Sequence, residues 1–297
     1  MGGGAWTTRA FVNSVATSGY TTKLNTKGYA SSDDILTMNV QDFYRSRGLA
    51  ESLNPYKAIR ECCDSEEHPN TVPIIFALDV TGSMGQSAKT CAGKLDEIMG
   101  ELYEEVKDVE FMMMGIGDLA YDSAPIQATQ FESDVRIMDQ TTKIWFEQGG
   151  GGNQFESYTA AWYFGLHHTD LDCWKRGKKG LIITMGDEPL NPYLPGGPLN
   201  IALDKQGNMR PEDIETNKLY KEACKKFDIY HIAITDNESS FSHYKRKILD
   251  TWGKLLGQHC LFAESKDLPK VIGQIVDDCI ENNGQFVAVD NKEGISW

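Results

Sequence analysis

An open α/β sheet of parallel strands alternating with helices is the fold this sequence predicts, on three observations. Short apolar runs recur at 74–78, 109–115, 181–185, 229–235 and 260–263. Being apolar on both sides of the pleat, they read as strands covered on both faces. Segments of helical period separate them. Several runs also end abruptly in small polar residues: Asp79, Thr81 and Ser83 after the first, Gly117 and Asp118 after the second, Gly186 and Asp187 after the third. In an open α/β sheet such junctions lie at the carboxyl edge, where ligand crevices form beside helix N-termini.

The elements follow in order. Residues 1–70 read as an N-terminal arm, 71–284 as the α/β domain and 285–297 as a tail. Within the arm a helix is expected over 33–47, behind Ser31 and Ser32 and ahead of Gly48. The polar stretch 59–70 should pack on the domain or reach a partner; the spacing of its Cys62, Cys63 and His68 matches no zinc pattern. A strand over 72–79 leads to a helix over 87–106, a second strand over 109–115 and a short one over 135–138. Four glycines at 149–152 precede a helix with Ala160, Ala161, Phe164 and Leu166 on its apolar side. Such a loop lets backbone approach a ligand closely. After the strand at 181–185, the Pro- and Gly-rich segment 190–210 reads as an irregular excursion. Pro211 then opens a helix to 227. Strands at 229–235 and 260–263 alternate with helices at 241–256 and 268–280.

Composition narrows the function. The chain has 297 residues, and 43 acidic against 29 basic residues give a formal charge of -14. Nucleic acid and anionic membrane are therefore excluded as general partners, and a cation or a basic partner is favoured. No apolar stretch reaches the ~20 residues that span a bilayer. The first residues lack the regions of a signal peptide, and Trp6 breaks the myristoylation pattern. Seven cysteines without a C-x-x-C pair read as reduced thiols, which sets the expectation of a cytoplasmic protein.

Three separated loops carry small oxygen donors: Asp79, Thr81 and Ser83; Asn153 and Glu156; and Asp187. Strand–helix alternation puts all three on one sheet edge. Carboxylate, hydroxyl and amide oxygens with few charges suit a hard divalent cation, Mg²⁺ or Mn²⁺. Each residue also has a plain reading. Asp79, Thr81 and Ser83 are good helix caps, Glu156 suits a helix start, and Asp118 suits a turn. His167 and His168 read as structural, and the basic cluster 175–179 as a solvated loop on the opposite edge.

Asp79-Val80-Thr81-Gly82-Ser83 resembles the D-x-[ST]-x-S signature of the von Willebrand factor A domain and its metal-ion-dependent adhesion site. The resemblance covers roughly 72–283. It implies a doubly wound, mostly parallel sheet with one short antiparallel edge strand and helices on both faces. It also implies Thr81 and Ser83 as hydroxyl ligands and Asp79 as a ligand directly or through water. The second loop, Gly150-Gly151-Gly152-Asn153-x-x-Glu156, is similar to the G-G-G-D-x-P-E loop of intracellular bacterial and kinase-linked members, with Asn for Asp and Phe for Pro. The third reads Thr184-Met185-Gly186-Asp187 where T-D-G is usual.

The expected function is a binding module, not an enzyme, whose cation is completed by an Asp or Glu of a partner protein. The resemblance points to an intracellular bacterial or phage assembly or regulatory role, beside an ATPase or a kinase. Two alternatives stand beside it. One is a structural subunit of a larger homo-oligomer, threaded through its arm. The other is a serine hydrolase, because Thr81-Gly82-Ser83-Met84-Gly85 nearly copies the G-x-S-x-G nucleophile elbow, with His243 or His259 as the available base.

Overall fold

The structure, a computed structural model, describes residues 48–134, 136–147, 155–204, 212–236 and 238–283. The expected helix at 33–47, the glycine loop with Asn153, Pro211 and the tail 285–297 lie outside the described residues.

Strand β1 (Arg60–Cys62) precedes the first central strand, β2 (Val72–Asp79). Helices α1 (Gln86–Gly93) and α2 (Leu95–Glu105) follow, two helices parted at Lys94 where one was expected. Next come β3 (Val109–Ile116), β4 (Ile126–Ala128) and helix α3 (Arg136–Thr141). Residues 136–138 of the short strand expected at 135–138 are helical instead, where Asp134 Oδ1 accepts the Arg136 amide at 2.9 Å and caps the first turn. The antiparallel edge is made by β4 instead, Ile126 facing Ile116.

Helix α4 (Thr159–His167), β5 (Thr169–Leu171) and β6 (Gly180–Gly186) continue the chain. The excursion after β6 holds more structure than its prolines suggest: β7 (Tyr193–Leu194) and α5 (Gly196–Leu203), with Pro195 as N-cap and Pro198 in the first turn, where a missing N–H costs nothing. Strand β8 (Ile214–Glu215) pairs with β7, and the helix expected from Pro211 is α6 (Thr216–Ala223). Then come β9 (Phe227–Ile234), α7 (Glu238–Ile248), a π turn at Leu249–Gly253, β10 (Cys260–Ala263) and α8 (Leu268–Asn283).

The central sheet has the order β10-β9-β6-β2-β3-β4, parallel except for β4. Alternate residues feed two cores, as the pleat requires. Ile74, Phe76 and Leu78 pack with α1, α2 and α8 on one face; Ile75 and Ala77 pack with α4, α5, α6 and the π turn on the other. Each fully buried Ile or Phe contributes about 1.5–3 kcal/mol. Strand order reverses at β2: the chain first builds outward through β3 and β4, then returns to place β6 on the other side of β2. Ligand crevices form at such a reversal.

Residues 48–70 pack against this domain. Leu53 is buried, Arg60 donates to Ala128 O at 2.8 Å, and β1 pairs with β5. In the basic cluster, Arg176 pairs with Asp64 and donates to Thr71 O at 2.7 Å, clasping this segment to the start of β2.

Candidate functional site

Asp79 is the last residue of β2 and is fully buried. Its Oδ1 accepts the Thr81 amide at 2.9 Å and the Thr81 hydroxyl at 2.6 Å, and its Oδ2 accepts the Tyr158 hydroxyl at 2.6 Å. Thr81 Oγ1 lies 3.0 Å from Ser83 Oγ, and Ser83 Oγ donates to Asp187 Oδ1 at 3.2 Å. Residues 104 positions apart in sequence thus meet in one chain of oxygens. The cause is register: Leu78 faces Met185 on adjacent parallel strands, so the ends of β2 and β6 emerge side by side. Ser83 is exposed, whereas Asp79, Thr81 and Asp187 are buried, so the chain opens to solvent at Ser83.

Proton counting bears on what the oxygens can do. Each hydroxyl has one hydrogen, so two protons serve three O···O contacts. With Thr81 committed to Asp79 and Ser83 to Asp187, hydroxyl lone pairs face each other across 3.0 Å. That is a donor pair for a hard cation.

The surrounding charge is negative. Glu156 is buried and joined to Leu190 by a β-bridge, Glu188 is buried next to Asp187, and the Oε2 atoms of both glutamates have no hydrogen-bond partner among the described residues. Burial, and then the charge of Asp187, pushes the Asp79 carboxyl above the usual range. Burial followed by Asp79 and Glu188 raises Glu156, and burial followed by Asp79 and Asp187 raises Glu188 to about 8. The charges acting most strongly on Asp79 and Glu156 are all acidic. In such a field the buried carboxyls are neutralised by protons, and a bound cation is the other way to offset their charge. Among the described residues no three His, Cys, Asp or Glu side chains gather closely enough to hold a metal by themselves. A cation here therefore needs the Thr81 and Ser83 hydroxyls as well as carboxylate.

Of the residues expected from sequence, Asp79, Thr81, Ser83 and Asp187 form the connected group. Glu156 is buried, its carboxyl raised by that burial and then by the charge of Asp79 without a hydrogen bond to that group among the described residues, and Asn153 lies outside them. Asp118 is buried and accepts the Ala120 amide at 2.8 Å, the geometry of a turn aspartate. His168 Nδ1 lies 3.2 Å from Ala58 O and His259 Nδ1 lies 3.2 Å from Ile229 O, both remote from Ser83 in the hydrogen-bond network.

With this geometry in place, the chain can be set beside known proteins. No family model matches it, and no curated protein matches it. Solved structures do. The pilus adhesin SpaC from Lactobacillus rhamnosus GG, in its open conformation, is 14% identical with a TM-score of 0.47, over 74% of this chain and 31% of that one. The vWF domain of the type V pili tip protein Mfa5 from Porphyromonas gingivalis is 10% identical with a TM-score of 0.44, over 71% of this chain and 95% of that one. This chain spans about a third of the length of the adhesin. The expectation of a cytoplasmic protein is not upheld: the two structures just described are of pilus proteins.

Sequence reasoning missed two residues of the group. Glu188 directly follows Asp187, and a second carboxylate at a strand end was signal enough to include it. Tyr158 gave no such signal. It stands just before α4, and its hydroxyl reaches Asp79 only because Gly186 leaves room: a Cβ there would overlap the Tyr158 ring and hydroxyl.

Proposed function

We propose that this chain is a cation-dependent protein-docking module. A Mg²⁺ or Mn²⁺ ion is held by the Thr81 and Ser83 hydroxyls and Asp187, with Asp79 acting through Thr81 or a water and Glu156 and Glu188 supplying field. An Asp or Glu of a partner protein completes the coordination from the Ser83 side. The observation that carries this reading is the Asp79–Thr81–Ser83–Asp187 oxygen chain beside two orphaned carboxylate oxygens. Mg²⁺ keeps coordination positions for water or ligand and is rarely caged by protein alone, which leaves a position for the partner. The hydrolase alternative lacks support on one point: Ser83 hydrogen-bonds to Thr81 and Asp187, and among the described residues no histidine accepts its proton.

Calorimetric titration of the chain with MgCl2 or MnCl2 tests the reading. One site per chain is expected, lost in Ser83→Ala and in Asp187→Asn. A chain that neither binds nor is stabilised by millimolar Mg²⁺ or Mn²⁺ overturns it. Labelling of Ser83 by a fluorophosphonate probe would favour the hydrolase instead.

A further inference from the structure

Helix α7 and the π turn run alongside the third loop, and hydrogen bonds set their register. Thr251 Oγ1 accepts the Leu190 amide at 3.2 Å and donates to Lys247 O at 2.7 Å, and Trp252 Nε1 donates to Glu188 O at 3.2 Å. Going back along the loop from Leu190 toward Asp187 therefore runs back along the helix from Thr251 toward Lys247 and Tyr244. Electrostatics continue that register. Burial, then the charges of Glu188 and Asp187, raise the Tyr244 hydroxyl; at Glu188, whose carboxyl burial and neighbouring acids raise, the Lys247 ammonium pulls the other way. Lys247 and Tyr244 thus stand beside the loop that carries Asp187, whose Oδ1 accepts from Ser83, the exposed end of the oxygen chain.

Charge on this stretch runs against that of the chain. Residues 241–254 carry Lys245, Arg246, Lys247 and Lys254 against Asp250 alone, in a protein of formal charge -14. Arg246 Nε lies 3.9 Å and Lys254 Nζ 3.0 Å from the Asp250 carboxylate, so that acid is claimed from two sides. The other acids nearby are also engaged. Glu215 pairs with Lys218 at 3.1 Å, Asp236 accepts the Ser265 amide and hydroxyl, and Glu188 is buried. Lys245 Nζ lies 5.4 Å from the centre of the Phe241 ring, on the flank that meets Phe262. Lys247 is exposed, and its Nζ lies 5.6 Å from the centre of the Tyr244 ring. The ring attracts the ammonium and keeps it near the third loop without neutralising it.

We propose that Lys247, steadied by Tyr244, is the second contact for the same partner and takes a second carboxylate beside the one that reaches the cation. The occupant is an acidic segment of a partner protein, with two or more Asp or Glu residues close in sequence. This rests on the docking reading above and names the chemistry of the partner. A chain of formal charge -14 repels acidic segments in general, so this basic face is where such a segment can approach. An exposed ion pair of this kind adds modest affinity and chiefly selects among partners and speeds their encounter.

Calorimetry of the whole chain in MgCl2 at low salt, with the N-acetylated peptide amides Glu-Glu-Glu-Glu and Glu-Gln-Gln-Gln, tests it. Lys247→Gln is expected to weaken binding of the four-acid peptide about threefold, the size of an exposed ion pair, and to leave the one-acid peptide and Mg²⁺ binding unchanged. Lys247→Arg should keep the wild-type affinity. Lys225→Gln, at an exposed lysine ahead of β9 on the opposite sheet edge, should change neither peptide. Equal affinity of wild type and Lys247→Gln for the four-acid peptide overturns the proposal, as does the same loss in Lys225→Gln or a wild-type chain that binds neither peptide. A preference for the four-acid peptide that needs Lys247 but persists in EDTA overturns the cation's share in docking and keeps the acid-reading face. Cation-dependent binding of both peptides that ignores Lys247 does the reverse, so the two readings fail separately.

Discussion

The Tyr158 hydroxyl donates to Asp79 Oδ2 across 2.6 Å, joining the residue before α4 to the last residue of β2 in a fully buried hydrogen bond. With the Thr81 amide and hydroxyl on the other oxygen, both oxygens of the Asp79 carboxylate are engaged by the protein. Removal of the donor alone, in Tyr158→Phe, leaves Oδ2 buried and unpaired. A loss of about 1–3 kcal/mol in urea-unfolding free energy is expected. A change under about 0.5 kcal/mol would show that the bond is incidental.

Gly186 tests the same packing from the other side. Its missing Cβ is the space that Tyr158 fills. Gly186→Ala is expected to destabilise by about 1–3 kcal/mol, the usual cost of overpacking, and to lower cation affinity by displacing Tyr158 from Asp79. Thermal unfolding together with Mg²⁺ titration of the variant reads both effects. An unaltered melting temperature and affinity would show that the ring relaxes freely.

On the docking reading, cation removal has a definite size. At a free Mg²⁺ concentration 100 times Kd the fold gains about 2.7 kcal/mol by mass action, so the melting temperature should rise with MgCl2 and return with EDTA. Ser83→Ala should melt at one temperature in either condition. A wild-type chain indifferent to both additions contradicts the reading.

Acid sensitivity should arise at His231. Its ring is fully buried, stacked on Trp252 at 3.8 Å with Nδ1 2.9 Å from Thr184 Oγ1, and burial holds its pKa down at about 3. The unfolded chain binds this proton below about pH 6.5, and the folded chain refuses it until about pH 3. The neutral ring therefore contributes its full stability above pH 6.5, and that contribution is lost as pH falls toward 3. By pH 4.5 the loss is about 3 kcal/mol. In His231→Gln, urea midpoints measured from pH 7 to 4.5 should fall less steeply than in the wild type. Parallel slopes would assign the acid response to other groups.

How much of this was legible in the sequence follows from the reach of each interaction. The strands β2, β3, β6 and β9 were readable because a strand covered on both faces must be apolar at every position, and residues 74–78 are. The edge strand was misplaced because Ile126-Gln127-Ala128 is short and mixed, while the capping power of Asp134 over Arg136 turned the apolar residues at 137–138 into a helix. In the candidate site, the first loop carries a local pattern, so Asp79, Thr81 and Ser83 stood out. Tyr158 did not, since its role depends on a hydrogen bond across 79 positions and on a space left by Gly186.

The side-by-side emergence of β2 and β6 carries one more consequence. Their span is measured by the ladder between them, about 4.8 Å from backbone to backbone, and that ruler is anchored among buried side chains. Trimming a core side chain that clamps the two strands, such as Ile183 or Phe76, should therefore loosen the grip between Ser83 and Asp187 from a distance. Lengthening a surface connection elsewhere should leave it as it is.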